Sequence, residues 1–458
     1  MSTTGLQLHD AALAVASDGS LISVAPSIVR ADPTQPALLG QSAAAFARVT
    51  PRLVSSEHWA RLARDGAQTD AATLAVAGAE LRERIAPELR QQPLQCAVSA
   101  AFSAAALGVV LAIARREGLE IRGFHDTAAL AVASLGITGT TIVLELGLGH
   151  LVATRVEQLD GEVRRRAAVL RRGPGMLALQ QAWLRMVSEA MVLRTRFDPL
   201  HDGASEQRLY DALDAAAATA AANGSVEIGL PTGRDVATVV LSRDQFAEAA
   251  TDVYGEALAV LHELRPAGAR VNLLVDDALL RLPGLSARLA GLRGTRLLAC
   301  PPGLAAKAAS LAVAPGDDAG TVALQRGYAL AVPLEPVAEV DLSAFAPLAG
   351  AAPTHALWEG RAFALPRAGA LEIGRDPAAG GIRLAEGLAG VSRLHCALRG
   401  DAEGVVLVPH SPQGTWLNDE RVHGRIRVHS GDRLRVGTPG VAIELIAVGG
   451  AEHGATQG

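Results

Sequence analysis

The sequence predicts an α/β region followed by an all-β sandwich. Strand-like and helix-like stretches alternate over residues 1–331, the pattern of a domain whose helices pack against sheets. Further along, short period-two runs such as Ala370-Leu371-Glu372-Ile373 and Gly404-Val405-Val406-Leu407-Val408 are broken by Gly, Pro, Asn and Asp. Half-buried strands and their turns read this way. Residues 332–355 are rich in Pro and Ala without periodicity and read as a linker. The sandwich is expected over 356–448, and a disordered Gly- and Ala-rich tail over 449–458.

Taken in order, Gly5–Val15 and Leu21–Val29 read as two strands joined by a hairpin turn at Ser17-Asp18-Gly19-Ser20. A polar helix is expected over Asp70–Ile85, then an apolar strand over Leu94–Ala101 running into a helix over Ala104–Glu117. The stretch Cys96–Ala114 approaches the length of a membrane span, but its Ala-rich composition favours a buried strand and core helix. Thr140–Leu146 reads as a strand leading into Gly147-Leu148-Gly149-His150. Arg164-Arg165-Arg166 and Arg171-Arg172 read as flanking a strand, on a solvated face or a partner contact. The alanine run Ala215–Ala222 is helix-prone, because Ala has the best helix propensity.

Composition narrows the function classes. With 458 residues, 49% hydrophobic and 19% charged, the chain has material for two or three domains and a large core. The net charge of −5 gives no general attraction to nucleic acid. Cys96, Cys300 and Cys396 lie far apart, so neither a disulfide framework nor a zinc site is expected, and no metal is assigned. Met1–Asp10 has neither a basic start nor an apolar core, so no secretion signal is expected and the location is read as cytoplasmic. The single lysine, Lys307, has no glycine-rich loop before it, which excludes a P-loop. No nucleophile elbow, zinc-protease helix, calcium loop or dinucleotide fingerprint is present, and His410, His423 and His429 read as surface residues.

Three blocks in the C-terminal region occur in a fixed order: Gly374-Arg375, then Ser392-Arg393-Leu394-His395, then Ser411-Pro412-Gln413-Gly414-Thr415-Trp416-Leu417-Asn418. A phosphate dianion needs a cation fork, hydroxyl donors and free backbone N–H groups on rigid loops. Arg375 can supply the fork, Ser392 and Arg393 a hydroxyl and second cation, and Thr415 with the Gly414 backbone the rest of the cradle. The blocks resemble a forkhead-associated (FHA) domain, the phosphothreonine-peptide reader. The resemblance implies that Arg375, Ser392 and Arg393 contact phosphate, that Asn418 holds the peptide backbone, and that His395 braces the loop. Where the family favours Asn in its Asn-Gly-Thr turn, this chain has Gln413, which takes left-handed geometry less readily.

The preceding region resembles the nucleotide-binding domain of DnaK-type heat-shock chaperones, of the two-lobed actin-like ATPase fold. The resemblance rests on the initial hairpin, Ala25-Pro26-Ser27-Ile28-Val29, Ala100-Ala101-Phe102-Ser103, His125-Asp126-Thr127-Ala128-Ala129, Phe197-Asp198-Pro199, Leu241–Phe246 and Arg281-Leu282-Pro283-Gly284. It implies a nucleotide site whose residues here are degenerate. The first phosphate hairpin keeps Asp10 but loses its Gly and Thr. The second reads Glu145-Leu146-Gly147-Leu148-Gly149-His150, without the family's hydroxyl. The adenosine-side Gly-Gly is replaced by Asp276-Asp277, whose carboxylates would repel an anionic ligand.

The expectation is therefore a non-enzymatic scaffold or adaptor without ATP or magnesium as cofactor. Its partner would be a phosphothreonine-containing protein, the substrate of a Ser/Thr kinase. The alternatives are an ATP-binding DnaK-like chaperone or assembly factor regulated by its FHA domain, and a structural subunit with both sites dead.

Overall fold

The computed structural model describes residues 2–32, 34–233, 235–266, 269–290, 292, 294–312, 322–340, 352–359, 361–366, 368–401, 403–418, 420–437 and 440–446. The chain divides into two compact units, Met1–Ala344 and Phe345–Gly458. The stretch 449–458, read as a tail, lies outside the described residues.

The first unit opens with strands β1 (Thr4–Leu8), β2 (Ala12–Ser17), β3 (Ser20–Pro26), β4 (Val29–Arg30) and β5 (Leu38–Leu39), and helix α1 (Gln41–Ala44). Then come β6 (Val54–Ser55), α2 (His58–Asp65), α3 (Ala71–Arg84), β7 (Leu94–Val98), α4 (Ala104–Arg116), β8 (Ile121–Asp126) and α5 (Thr127–Ser134). After β9 (Thr140–Leu146), β10 (His150–Leu159) and β11 (Glu162–Arg172) lie α6 (Met176–Thr195) and α7 (Gly203–Asn223). The remainder is β12 (Ser225–Pro231), β13 (Val236–Ser242), α8 (Arg243–Ala249), α9 (Thr251–Leu264), β14 (Val271–Asp276), α10 (Asp277–Leu280), α11 (Leu285–Ala290), β15 (Thr295–Cys300), α12 (Leu304–Leu311), β16 (Leu324–Gln325), β17 (Gly327–Ala329) and β18 (Ala338–Glu339).

Two mixed sheets organise this unit, in the orders β16-β8-β7-β1-β2-β3 and β17-β11-β10-β9-β14-β15-β18. Parallel pairs β1–β7 and β7–β8 lie in the first sheet, and β9–β14 and β14–β15 in the second. The strand expected over Gly5–Val15 is two strands: the chain turns at His9-Asp10-Ala11, and β1 pairs antiparallel with β2. Val29 belongs not to β3 but to a separate small sheet. Cys96–Ala114 is β7 followed by the 13-residue α4, and no helix among the described residues is long and apolar enough to cross a membrane.

Helix starts follow local chemistry. Asp70, Ser103 and Asp126 accept from backbone N–H groups of α3, α4 and α5, and Ser242 with Gln245 forms a capping box on α8. The largest core gathers Trp183, Phe246 and Tyr254, with the Trp183 indole N–H donating to the Phe246 carbonyl at 3.0 Å. The arginine run lies inside β11, so its side chains alternate. Arg165 is drawn inward to the buried Asp126 at 2.6 Å, while Arg164 and Arg166 pair with Glu162 and Glu157 on the outer face. Within the stretch read as linker, β18 pairs with β15, and Glu335 forms an ion pair with Lys307.

The second unit contains β19 (His355–Trp358), β20 (Arg361–Ala364), β21 (Gly369–Gly374), β22 (Ile382–Arg383), β23 (Cys396–Asp401) and β24 (Gly404–Pro409). β25 (Thr415–Leu417), β26 (Glu420–Arg421), β27 (Ile426–Val428), β28 (Arg433–Val436) and β29 (Val441–Ile446) complete it. The strands form two sheets, β20-β19-β29-β28-β25-β26 and β22-β21-β23-β24-β27. Leu371 and Ile373 of one sheet and Ile443 and Leu445 of the other are buried in a shared core, while Glu444 between the latter pair points out. This is the β-sandwich arrangement that period-two alternation dictates.

Candidate functional site

In the second unit, the loops after β21, before β23 and before β25 are laced together. Arg375 N–H donates to the Ser392 carbonyl at 3.0 Å and Asp376 N–H to the Arg393 carbonyl at 2.9 Å. The approach is so close at Gly374 that a Cβ there would lie 2.0 Å from the Arg393 carbonyl oxygen, so only glycine fits. Arg375 and Ser392 are thus neighbours through their backbones.

His395 joins the third loop. Fully buried, it accepts at Nδ1 from the Ser392 N–H at 3.2 Å and donates from Nε2 to the Gly414 carbonyl at 2.6 Å. One nitrogen accepts and the other donates, which defines the neutral Nε2–H tautomer. Burial lowers the His395 pKa, against the opposing pull of the Gly414 carbonyl. The N–H groups of His410 and Ser411 both donate to the His395 carbonyl at 2.9 Å.

Ser411, whose role sequence reasoning missed, places its hydroxyl 2.7 Å from that of Ser392 and accepts from Gln413 N–H at 3.2 Å. Its signal was available, since it heads the third sequence block. Positive φ falls on Gly414, at 105°, and not on Gln413, so the Gln departure leaves the turn intact. Arg421 also touches this loop, donating to the Pro412 carbonyl at 3.0 Å.

Two buried polar atoms here lack partners: Arg375 Nε and Thr415 Oγ1. Arg375 is half-buried and Arg393 exposed, and neither forms an ion pair among the described residues. Arg375, Ser392, Arg393, Gly414 and Thr415 therefore gather around one set of loops. Asn418 lies at the far end of β25, about 10 Å from Thr415 at strand rise. Its amide donates to Asp432 at 2.7 Å and accepts from Arg433 N–H at 2.8 Å, leaving one amide hydrogen uncommitted.

In the first unit, the β1–β2 and β9–β10 turns meet. Asp10 accepts from Leu148 N–H at 3.0 Å and lies 3.1 Å from His150 Nδ1. A Cβ at Gly147 would fall 2.4 Å from an Asp10 oxygen, and one at Gly149 would fall 2.8 Å from a Glu57 oxygen. Burial opposes ionisation of Asp10, but the His150 hydrogen bond, the positive field of His9 and His150, and the Leu148 N–H together lower its pKa. Burial, with Asp126, Asp10 and Asp276 adding repulsion, pushes Glu145 up to about 8. Burial also raises Asp276, whose carboxylate caps α10 through Ala278 N–H at 2.8 Å. Asp277 instead pairs with Arg281 at 2.8 Å, toward solvent.

No curated protein matches the chain. FHA domains bind phosphothreonine peptides. The family model of the FHA domain matches residues 371–437, so the C-terminal sandwich carries an FHA domain.

Proposed function

We propose that the protein is a non-enzymatic adaptor that recruits a phosphothreonine-bearing protein, the product of a Ser/Thr kinase, through Arg375, Ser392, Arg393, Gly414, Thr415 and Asn418. The observation that carries this reading is Arg375, half-buried with its Nε unpartnered, beside Ser392 on loops braced by His395. A phosphate on these loops would give the half-buried Arg375 an acceptor, and Ser392 and Arg393 would add a hydroxyl and a cation from the next loop, whereas the fully buried Thr415 would act by shaping the loop.

The proposal extends to the first unit, read as a degenerate actin-like, DnaK-type domain that serves protein interaction. The contacts of Asp10 with Leu148 and His150 support it, because protein groups occupy the meeting of the two hairpins. The acidic character of Glu145, Asp276 and Asp277 supports it too, since polyphosphate would meet carboxylates there.

The test is binding of a phosphothreonine peptide library to the full chain. Removing one charge-assisted hydrogen bond forfeits about 1.5–3 kcal/mol, roughly tenfold to a hundredfold in affinity. Arg375→Ala should abolish measurable binding at unchanged melting temperature, Ser392→Ala should weaken it less, and Arg393→Ala should weaken it in a salt-sensitive manner. Equal capture of phosphorylated and phosphatase-treated partner would sink the reading and leave the sandwich a docking surface only.

A further inference from the structure

A cavity of about 310 Å³ in the first unit lies on the outer side of the β9–β10 turn. Its walls come from α2, the end of β11 and the start of α6. Asp10, Glu145, Asp276 and Asp277 do not line it, but Gly149 and His150 do, so it adjoins the acidic cluster through the β9–β10 turn.

The cavity combines an apolar floor with a cationic rim. Ala63, Leu170 and Leu177 supply the floor, and Arg61, Arg64 and Arg172 supply guanidinium groups. Secondary-structure spacing puts them there. Arg61 and Arg64 stand three apart on one face of α2, and Leu170 and Arg172 two apart on one face of β11. Arg171, on the opposite face of β11, turns away to Glu263 and Glu256.

The three guanidiniums are not equally engaged. Arg64 forks onto the neighbouring Asp65 at 2.7 and 3.0 Å. Arg61 reaches the one carboxylate in the wall, Glu57, only at 3.9 Å. Arg172 forms no ion pair among the described residues. Asp65 already neutralises Arg64, so Arg61 and Arg172 against Glu57 leave a surplus of one positive charge, on a chain whose net charge is −5.

We infer that this cavity binds a small phosphorylated organic molecule: a phosphate-ester dianion at Arg172 and Arg61, its compact apolar body on Leu170 and Leu177. Arg61 and Arg172 have no close ion pair among the described residues, and guanidinium forks bind phosphate bidentately. The volume sits at the small end of ligand pockets, which run from about 300 to 1,000 Å³. The inference is independent of the phosphothreonine reading.

The experiment is calorimetry on the full chain carrying Arg375→Ala, which silences the FHA loops, with phenyl phosphate, inorganic phosphate and benzoate as probes. Phenyl phosphate should saturate at or below about 1 mM and bind at least about tenfold more tightly than inorganic phosphate or benzoate. Adding Arg172→Ala should weaken phenyl phosphate about tenfold or more, and Arg61→Ala should weaken it to a lesser degree because Glu57 competes for that guanidinium. Both arginines are solvent-exposed, so the melting temperature should not move. Three results overturn the inference: no saturation by about 10 mM, affinity indifferent to both arginine replacements, or binding present in the parent chain and lost with Arg375→Ala alone. The last would assign the probe to the FHA loops.

Discussion

Arg375 Nε and Thr415 Oγ1 each stand buried without a partner, and such groups cost about 1–3 kcal/mol apiece. Where a ligand supplies an acceptor to the Arg375 guanidinium, that part of the cost is recovered as binding affinity. The brace beneath them has its own pH signature. His395 is needed neutral, with Nδ1 accepting from Ser392 and Nε2 donating to Gly414, and burial holds its folded pKa below the ordinary value of 6.5. Its contribution to stability is therefore complete above about pH 6.5 and is lost as pH falls through the folded pKa. Phosphothreonine-peptide affinity should fall as pH drops below about 6.5 and through the lowered folded pKa of His395, beyond what protonation of the phosphate explains. A phosphate-insensitive readout separates the two: the near-ultraviolet spectrum of Trp416, which follows Thr415, should change over the same range in wild type but not in His395→Asn. A spectrum flat in both would count against the brace.

At the scale of elements, turns carry the sites and strands set their spacing. Local composition hid the β1–β2 turn, because Leu8-His9-Asp10-Ala11-Ala12-Leu13 contains no Gly, Pro or Asn to punctuate it, and only the family resemblance marked a hairpin at Asp10. What makes it a turn is tertiary: Asp10 finds Leu148 N–H and His150 on the facing β9–β10 turn, 138 and 140 positions away. His150→Ala should cost about 2–3 kcal/mol in urea unfolding, since it leaves a buried carboxylate short of a partner. Asp277→Ala breaks only a solvent-facing pair four residues along a helix and should cost a few tenths of a kcal/mol. Equal costs would mean that the two hairpins do not depend on each other. The same contrast separates the arginines of β11: alternation along the strand was readable, but the partner that draws Arg165 inward, Asp126, comes from the end of another sheet.

For the whole molecule, the acidic cluster and the occupied meeting of the two hairpins lead to one expectation. Calorimetry with Mg-ATP should give no isotherm at sub-millimolar concentration, and ATP should not raise the melting temperature; a magnesium-dependent isotherm would overturn the pseudo-ATPase reading and favour an ATP-regulated assembly factor. By itself the sequence determined the division into an α/β region and a β-sandwich, because periods of two and 3.6 are local properties of a chain. It made the helices that became α3 and α4 legible for the same reason, since the caps that start them reach only three residues. It also placed Arg375, Ser392, Arg393 and Thr415 as candidate phosphate groups, since their order and spacing survive in the linear string. Only the tertiary structure decided that Ser411 joins Ser392, that Arg375 Nε and Thr415 Oγ1 lack partners, and that Asp10 closes on His150. It likewise assembled the arginine-rimmed cavity from α2, β11 and α6. The physical reason is common to all four: burial and hydrogen bonding belong to pairs of segments, and no single segment carries the distance between itself and its partner.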